Sequence, residues 1–546
     1  MNDNRELISY RQKQQPPRNP FGPLTYALIL ALGVMLGYII NSLVVGKQSP
    51  FTGGGSYDKV QDVLNYVNLK YVDTTNKEQL ENAAIDKLLS GLDPHSVYIP
   101  ASELSEMNES LEGNFEGVGI EFFIVQDTIT VVTAISGGPS ESVGIKAGDR
   151  IVKINDSIVA GVHISETDVK KHLRGPKGTK VKVGIMRSGA KNLINFDITR
   201  DKIPLYSIDA AFMLNSEVGY IRINNFSATT HEEFMEKMHN LKASGMKKLV
   251  VDLRGNPGGY LQSATSIADE LISGEKLLVY TKGKAYERID YKAGKAGLFE
   301  KGPVCVLIDQ GSASASEILS GAIQDWDRGT IIGRTSFGKG LVQEQFELKD
   351  GSALRLTVAR YYTPSGRCIQ RPYDKGNDAY YNEVYERYMR GEFVHEDSIV
   401  SLDTTLYQTL VKGRRVYGGG GIRPDIFVPM DTSADNEYFY AVRSFVPEFI
   451  YKYSSDHPQF MDKYKSMEEF SNGFAVSQQM LDEFYAYAVT AGLKEQKARN
   501  PRISERIKLS LKAFFAKQVW RMDGYYYVTN QDDNVITKAL QTLSAQ

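Results

Sequence analysis

The sequence is poor in the residues that build metal sites, disulfide frameworks and nucleic-acid interfaces. Its 546 residues include two cysteines and seven histidines, and its formal net charge is −2. The histidines are scattered along the chain, at His95, His163, His172, His231, His239, His395 and His457. None of them has the spacing of metal ligands, and a net charge near zero gives no basic footprint for nucleic acid. The sequence therefore argues against a metal site and against a nucleic-acid partner.

Two other common patterns are incomplete. Cys305 and Cys368 are able to pair in an oxidising compartment, but Cys305 falls in a predicted buried strand, and we expect it to be unpaired. Gly338-Lys339-Gly340 resembles part of a phosphate loop, yet a glycine follows the lysine where that loop requires serine or threonine. We therefore predict neither a disulfide nor a phosphate loop.

One long apolar run is present, at Leu24–Val45, and it is long enough to span a bilayer as a helix. Four positive charges precede it, at Arg5, Arg11, Lys13 and Arg18, whereas Lys47 is the only one close behind it. This bias places the N-terminus in the cytoplasm and the rest of the chain outside. No signal-peptide cleavage site follows Ile39, and there is no lipobox cysteine. We predict an uncleaved single-pass signal anchor in the inner membrane, with the remainder periplasmic or otherwise extracytoplasmic.

The length of the chain and its turn and linker segments predict a multidomain α/β protein. With 42% hydrophobic and 24% charged residues, it suits three or four folded domains. Residues 1–23 are the predicted cytoplasmic N-terminus, 24–46 the anchor and 47–56 a flexible glycine-containing linker. Apolar spacing predicts two amphipathic helices within residues 57–112, one from Val60 to Tyr71 and one from Leu80 to Leu89. The segment Leu92–Ser96 that follows is predicted to be a turn.

Residues 113–200 resemble a PDZ module, a small β-domain that binds peptide tails. The segment Gly144–Asn155 (GIKAGDRIVKIN) matches its signature, and Glu166–Leu173 is predicted to be its short helix. A PDZ groove adds a peptide as an extra strand, while backbone N–H groups of a glycine loop hold the terminal carboxylate. The predicted loop consists of Gly117, Val118, Gly119 and Ile120. A small β-domain used for scaffolding is the alternative.

A serine lies at a predicted strand-to-helix turn in the next region, residues 201–430. The apolar run Pro303–Asp309 predicts a buried strand, and Glu317–Ile323 has helical spacing, which puts Ser314 at the helix N-terminus. The unpaired N–H groups there favour an oxyanion. A second predicted strand, Leu249–Leu253, leads into the glycine-rich segment Arg254–Gly259 (RGNPGG). Glycines allow backbone N–H groups to approach a ligand closely.

A lysine follows the serine, between two glycines, with a glutamine behind it. Serine needs a base to take its proton, and a desolvated lysine is able to be that base. Lys339 must be neutral to act, so burial must lower its pKa by several units. Phe337 and Leu341 flank the lysine and are expected to remove water from its amine. Gln343 lies four residues after Lys339.

Four motifs in this order resemble one family, the carboxyl-terminal processing (tail-specific) serine proteases. They are DLRGNPGG, GSASASEI, FGKGLVQ and RYYTPSGRCIQ, and the resemblance covers about Tyr57–Pro429. The resemblance implies a ClpP/crotonase-like α/β core in which Ser314 is the nucleophile and Lys339 the general base. Gln343 would orient the lysine amine, and Asp325 of the segment Gln324–Arg328 would play a supporting role. Gly258 or Gly259, with Ala315, would supply the oxyanion N–H groups.

The family resemblance implies an endopeptidase that cleaves exported proteins near free C-termini, without a metal or organic cofactor. A plausible regulation is that an empty PDZ groove holds the Ser–Lys pair out of register and tail binding restores it. A homo-oligomer and an adaptor protein stay open as partners. Two other functions also stay open: a non-catalytic, membrane-tethered PDZ adaptor, and a serine hydrolase on the same fold with a histidine base.

Two regions depart from the minimal family pattern. Residues 371–413 form a tyrosine- and charge-rich insertion, and we expect its tyrosines to pack an inserted helix. Residues 431–546 lie outside the strong motifs. Apolar residues between Ile503 and Val519 recur at helical spacing there, which predicts a helical accessory domain for packing or oligomerisation.

Overall fold

The computed structural model describes residues 22–45, 59–135, 137–294, 296–400, 405–433, 436–457, 459–494 and 500–546. The chain divides into two compact units, and the division falls between Ile85 and Asp86. The first unit holds α1 (Gly22–Val45), α2 (Lys59–Lys70) and most of α3 (Lys77–Leu89). Helices α2 and α3 are the two that the apolar spacing predicts.

The apolar run predicted to be a membrane anchor forms helix α1. In the described part of the chain, we find no helix that is long and apolar enough to cross a membrane. Residues 1–21 of the predicted cytoplasmic N-terminus and the predicted linker at 47–56 lie outside the described residues.

The second unit opens with the predicted turn at Leu92–Ser96, followed by β1 (Val97–Ile99) and α4 (Ala101–Glu112). A β-rich module follows. Its strands are β2 (Asn114–Gly117), β3 (Ile120–Ile124), β4 (Ile129–Ala134), β5 (Arg150–Ile154), β6 (Ser157–Ile158), β7 (Lys180–Met186), β8 (Ile194–Thr199) and β9 (Asp201–Pro204), and its helices are α5 (Pro139–Ser142) and α6 (Glu166–Leu173). The main sheet has the order β3-β4-β5-β7-β8, with β6 paired to β5, so β3 is an edge strand. Strands β2 and β9 pair with each other instead.

Most of the strands after this module belong to two sheets, and two short ones form a ladder of their own. The strands are β10 (Ile208–Met213), β11 (Val218–Ile223), β12 (Lys248–Asp252), β13 (Leu277–Gly283), β14 (Ile289–Lys292), β15 (Val304–Ile308), β16 (Thr330–Gly333), β17 (Leu341–Glu347), β18 (Ala353–Tyr362), β19 (Tyr407–Gln408), β20 (Arg415–Val416) and β21 (Ile426–Phe427). The central sheet runs β10-β11-β12-β15-β16-β21, and all its pairs are parallel except β10 with β11. Strands β12 and β15 are the two predicted buried strands. The other large sheet is antiparallel, in the order β1-β18-β13-β14, with β17 also paired to β18.

The helices after the β-rich module are α7 (Thr230–Ala243), α8 (Leu261–Leu271), α9 (Ala315–Asp325), α10 (Asn377–Met389), α11 (Glu437–Arg443), α12 (Val446–Asp456), α13 (Met467–Gly473), α14 (Gln478–Thr490), α15 (Pro501–Thr529) and α16 (Asn534–Ser544). Helices α7, α8 and α9 cover one face of the central sheet. Their buried side chains, among them Phe234, Ile267 and Leu319, join those of the strands in one large cluster. Such a sheet needs cover on both faces because parallel strands are apolar on both.

The second face of the central sheet is covered by α16. Buried Ile536 and Leu543 of this helix belong to the same apolar cluster as Tyr220, Val250 and Leu307 of the strands. The region after residue 430 is helical, as predicted, and α11 to α15 have an apolar cluster of their own. Helix α16 differs from them because it completes the layers of the central sheet.

The predicted inserted helix is α10, within residues 371–413, and its Tyr380 is buried. A short 3-10 turn at Glu396–Ser398 and the small β19–β20 ladder follow it. Cys305 is buried in β15 and takes part in no disulfide.

Candidate active site

Ser314 lies between the central sheet and α9, at the turn that the sequence predicts. It follows β15 and is the residue before the first turn of α9. Its backbone has a φ of 53°, in the left-handed region that side chains disfavour. Strain of this kind persists where the surrounding structure fixes a residue for function. A Cβ atom on Gly258 would lie 2.7 Å from the Ser314 Cβ, so only glycine allows the neighbouring loop to approach this closely.

A buried carboxylate, Glu317, joins the serine turn to the lysine loop. Its Oε2 accepts hydrogen bonds from the backbone N–H groups of Ser314 at 2.8 Å and Lys339 at 2.9 Å. Its Oε1 accepts one from the Gly338 N–H at 2.7 Å and one from the Ser336 hydroxyl at 2.5 Å. Burial raises the pKa of Glu317 to about 7, and these four donors oppose the rise. Helical spacing in the sequence accounts for Glu317 as a helix residue and does not reveal this role.

The amine of Lys339 lies beside the amide of Gln343. Lys339 Nζ donates to Gln343 Oε1 at 3.0 Å, and Gln343 Nε2 donates to the backbone carbonyl of His95. Because the carbonyl takes the NH2 end of the amide, the oxygen of the amide faces the lysine. Among the described residues, no hydrogen bond joins Ser314 Oγ to Lys339 Nζ. The expected pairing of lysine with glutamine is therefore present, while the serine and lysine side chains of the described site are not hydrogen-bonded to each other.

Electrostatics favour a neutral amine at Lys339. Burial lowers the pKa of Lys339, and the positive charge of Arg355 lowers it further. A lowered pKa increases the fraction of neutral amine at a given pH, and only the neutral amine accepts a proton.

The loop that carries the His95 carbonyl is held from two sides. Asp93 Oδ1 accepts from the His95 N–H at 2.8 Å and from the Thr357 hydroxyl at 3.0 Å. On the other side, His95 Nε2 is 3.0 Å from the hydroxyl of Tyr380 in α10. The pKa of His95 is lowered to about 4, first by burial and then by Lys339, so its ring stays neutral at physiological pH. Nothing in the local sequence pattern predicts that this carbonyl orients Gln343.

The inserted segment lies directly behind this loop. The guanidinium of buried Arg371 is 3.9 Å from the ring centroids of both Phe337 and Tyr380. Tyr381 donates to the carbonyl of Pro94 at 2.7 Å. The insertion therefore touches both the lysine loop and the His95 loop.

The glycine-rich segment after β12 is fixed by a buried ion cluster. Asp252 binds Arg222 at 2.9 Å and Arg254 at 2.7 Å, and Arg254 also binds Asp533 at 2.7 Å, just before α16. Burial raises the pKa of Asp252, but the two arginines outweigh it and hold the pKa below its usual value. Asp252 is therefore a buried ion-pair partner at the start of the glycine-rich segment.

The three predicted oxyanion residues differ in the state of their N–H groups. The Gly258 N–H donates to Asn256 Oδ1 at 2.8 Å. Within the described residues, the N–H groups of Gly259 and Ala315 have no hydrogen-bond acceptor, although Gly259 lies in a short parallel bridge with Phe226. Gly259 and Ala315 are therefore the two residues whose N–H groups are available to bind an oxyanion.

Asp325 does not join the site. It lies at the far end of α9 from Ser314, where its carboxylate binds buried Arg367 at 2.8 Å and accepts from the Ser365 N–H at 2.9 Å. Its partners belong to the RYYTPSGRCIQ motif, so Asp325 anchors that motif to the helix and has no contact with the serine or the lysine.

The predicted peptide-binding loop connects β2 to β3. Gly117 ends β2, Ile120 begins β3, and Gly119 between them has a φ of 73°. The Val118 carbonyl accepts from the Ser140 N–H and hydroxyl, which fixes the loop against α5. Strand β3 pairs only with β4 in the described sheet, so its other edge is open for an added strand.

Ser314, Lys339 and Gln343 line one cavity of about 680 Å³. Its wall also includes Gly258, Gly259 and the guanidinium-bearing Arg355. Apolar parts of the wall come from Leu111, Leu261, Tyr291, Ile318, Val342 and Tyr361. Among the described residues that line it, there is no histidine and no acidic residue. The cavity therefore brings together the predicted nucleophile, base and oxyanion segment, and it offers no histidine base.

Comparison with known proteins identifies three segments of the chain. The family model described as peptidase family S41 matches residues 217–375, and the PDZ domain model matches residues 117–198. A family of unknown function, DUF8443, matches residues 438–521.

Relatives of known name match over most of their length. The carboxy-terminal processing protease CtpA of Bacillus subtilis (strain 168) is 33% identical over 351 residues, which cover 63% of this chain and 73% of the relative. A carboxy-terminal-processing protease of Bartonella bacilliformis is 37% identical over 346 residues, covering 61% and 78%. Among solved structures, the photosystem II D1 C-terminal processing protease is 30% identical, with a TM-score of 0.34 over 57% of this chain and 83% of that one.

Proposed function

Because the chain belongs to peptidase family S41, the family of the carboxy-terminal processing proteases, we propose that it cleaves exported proteins near their C-termini with Ser314 as nucleophile and Lys339 as general base. The family, the serine-type peptidase activity and the PDZ module that the sequence predicts are confirmed by the comparisons. The observation that supports the two residues most directly is the shared carboxylate of Glu317, which binds the backbone of both, and both residues line one cavity.

The proposed reaction uses the neutral amine of Lys339. Lys339 takes the proton of the Ser314 hydroxyl as the oxygen attacks the peptide carbonyl, and the N–H groups of Gly259 and Ala315 stabilise the oxyanion. The lysine then returns a proton to the leaving amine, and water releases the acyl group from the serine. Gln343 keeps the amine in place throughout, since its own orientation is fixed by the His95 carbonyl.

Tail capture is assigned to the PDZ module. A C-terminal tail would add to the open edge of β3, with its carboxylate at the loop Gly117–Ile120. The serine and the lysine are not hydrogen-bonded to each other, and catalytic contacts often tighten only when substrate binds. We extend the proposal to regulation: tail binding brings Ser314 and Lys339 into register. A non-cleavable tail peptide should then accelerate cleavage of a second substrate, and inhibition alone would contradict this step.

We also propose that the chain is tethered to the inner membrane by residues 24–46, with the catalytic part outside the cytoplasm. The apolar run in the sequence and the positive charges before it support this. The domain boundaries at residues 57, 113, 201 and 431 remain predictions, as do a homo-oligomer and an adaptor partner.

The deciding experiment is cleavage of an unfolded protein with an apolar C-terminal tail by the purified full-length chain. Fragments are identified by mass spectrometry for the wild type, Ser314→Ala and Lys339→Ala, with Ser544→Ala and Lys349→Ala as exposed controls. We expect both active-site variants to lose cleavage by at least about a thousandfold while retaining tail binding. The two controls should match the wild type.

The other two functions give different results in the same experiment. A wild type that binds tails and cleaves none of them would point to the non-catalytic adaptor. A Lys339→Ala variant that stays active, together with an inactive histidine variant, would point to the histidine-based hydrolase.

A further inference from the structure

One cation in the catalytic cavity has no anionic partner. Arg355, on β18, lines the cavity with Ser314 and Lys339. Its Nη2 donates to the amide oxygens of Asn108 and Gln345, both at 3.0 Å. Within the described residues, no carboxylate lies within ion-pair distance of it, and its Nε and Nη1 donors have no protein acceptor.

Several other arginines in the interior of this unit are paired with a carboxylate, although Arg328 is held by three backbone carbonyls instead. Arg222, Arg254, Arg367, Arg371 and Arg387 each bind an aspartate or glutamate within 3.1 Å. This is the ordinary arrangement, because burial of a charge is costly unless the charge is paired. Arg355 is partly buried, and desolvation lowers its pKa, yet it is held only by neutral amides.

The neutral amides orient the guanidinium without neutralising it. Asn108 comes from α4 and Gln345 from β17, opposite Arg355 in the strand register, so the side chain is fixed from both sides of the cavity wall. A guanidinium presents a planar fork of donors that matches the two oxygens of a carboxylate. With no acidic residue in the described lining, the positive potential of the cavity acts on whatever enters it.

We propose that Arg355 binds a carboxylate of the substrate close to the scissile bond and so determines specificity in the cavity itself. This inference rests on the proposed peptidase function. The carboxylate has two possible sources, the side chain of an acidic residue and the free C-terminus of the tail. Recognition here is separate from tail capture by the PDZ module, which binds at the edge of β3.

The test is a set of four peptides cleaved by the full-length chain. Two are identical apart from aspartate or asparagine beside the scissile bond, and two are identical apart from a free or an amidated C-terminus. The quantity measured is the ratio of kcat/KM for the charged peptide to kcat/KM for its neutral partner. Wild type, Arg355→Gln and the control Arg360→Gln are compared. Arg360 is exposed on the same strand and contacts Tyr373, outside the cavity.

We expect the wild type to prefer the charged member of at least one pair by about tenfold, the size of a charge-assisted hydrogen bond. In Arg355→Gln that ratio should fall by about the same factor, to about one for the aspartate–asparagine pair, and it should stay unchanged in Arg360→Gln. The pair that responds identifies the source of the carboxylate. PDZ binding also favours a free C-terminus, but that preference persists in Arg355→Gln, so comparing the two enzymes removes it.

A ratio that is the same in the wild type and Arg355→Gln for both pairs overturns the proposal. If Arg355→Gln does not fold, Arg355→Lys decides: it keeps the charge but loses the fork, and an undiminished ratio also overturns the proposal. Failure of the underlying function gives a different result, because the wild type would then cleave none of the four peptides.

Discussion

Ser314 and Lys339 are held in place by different means. The serine is fixed by the fold itself, between β15 and α9 and against the glycine segment. The amine of the lysine is fixed by a chain of contacts that leaves the central sheet, through Gln343 to the His95 carbonyl and from there to Tyr380 of the insertion. The backbone of the lysine, in contrast, is bound to the same carboxylate as the backbone of the serine.

This difference separates what the fold requires from what is adjustable. Displacing the serine would disrupt packed strands and helices, which costs stability. Displacing the lysine amine requires only that the His95 loop or the insertion shifts. We therefore expect changes around the lysine to alter the rate and its pH dependence while the fold persists, and the following predictions test this expectation.

The largest effect is expected at Glu317, whose carboxylate binds the backbone of both Ser314 and Lys339. In Glu317→Gln, the new NH2 group must face a ring of N–H and O–H donors, so at least one hydrogen bond is lost and a donor is left unpaired. We expect activity to fall by about a hundredfold or more and the free energy of unfolding to drop by about 1–3 kcal/mol. Both are measurable by peptide cleavage and urea unfolding. Glu347→Gln, at the exposed end of β17, is the control, and near-normal activity in Glu317→Gln would refute the shared support.

The next effect concerns pH. Lys339 works as a base only when neutral, so kcat/KM should rise with pH through the lowered pKa of Lys339. Gln343→Glu places a negative charge beside the amine, stabilises its protonated form and raises its pKa. We expect the rising limb of the profile to move to higher pH by about one unit or more. An unmoved limb, with Gln79→Glu as an exposed control, would exclude Lys339 as the titrating base. His95 should not contribute, because its pKa of about 4 lies below this range.

A smaller effect is expected at Tyr380, the contact of the His95 loop with the insertion. Tyr380→Phe removes the hydroxyl that lies 3.0 Å from His95 Nε2 but keeps the ring that packs on Arg371. We expect kcat to fall about three- to tenfold, the loss of one hydrogen bond, with KM unchanged. Tyr385→Phe, on the exposed side of the same helix, should match the wild type. A changed KM with an unchanged kcat would assign Tyr380 to substrate binding instead.

The smallest effect is expected at the junction with the helical region. Asp533→Asn removes the charge that pairs with Arg254 and leaves an oxygen for the first turn of α16. We expect the free energy of unfolding to fall by about 1 kcal/mol and cleavage to change little. Asp532→Asn, next to it, is the control. A large loss of activity would mean that Arg254 needs both partners to hold the glycine segment.

The sequence predicts the site residues that lie in local motifs, but it does not predict the contacts between residues that are far apart in the sequence. Ser314, Lys339 and Gln343 fall in motifs whose flanking strand, helix and loop follow from apolar spacing. The Gln343 amide meets the His95 carbonyl across 248 residues of sequence, and a carbonyl has no side-chain signature. Glu317 was part of a quoted motif, but helical spacing accounts for it without revealing that its carboxylate turns back to the loop.

Asp325 shows a second limit. Its motif matches the family, and the resemblance implies a supporting role that stays a prediction, but the motif does not reveal that its carboxylate, at the end of α9 away from Ser314, binds Arg367. The same limit applies to α16. Its amphipathic pattern predicts a helix, but a pattern does not say which surface the apolar face will cover, and here that surface is the central sheet.

The Arg254 ion cluster has a consequence for ligands. One guanidinium bridges Asp252, next to the glycine segment, and Asp533, at the start of α16. Coupling through such a connection is reciprocal, because each site then changes the affinity of the other by the same factor. We therefore expect a ligand that binds in the catalytic cavity to slow amide hydrogen exchange in α16. By the same reciprocity, a partner that binds the helical region should change the affinity of the catalytic cavity for its ligand.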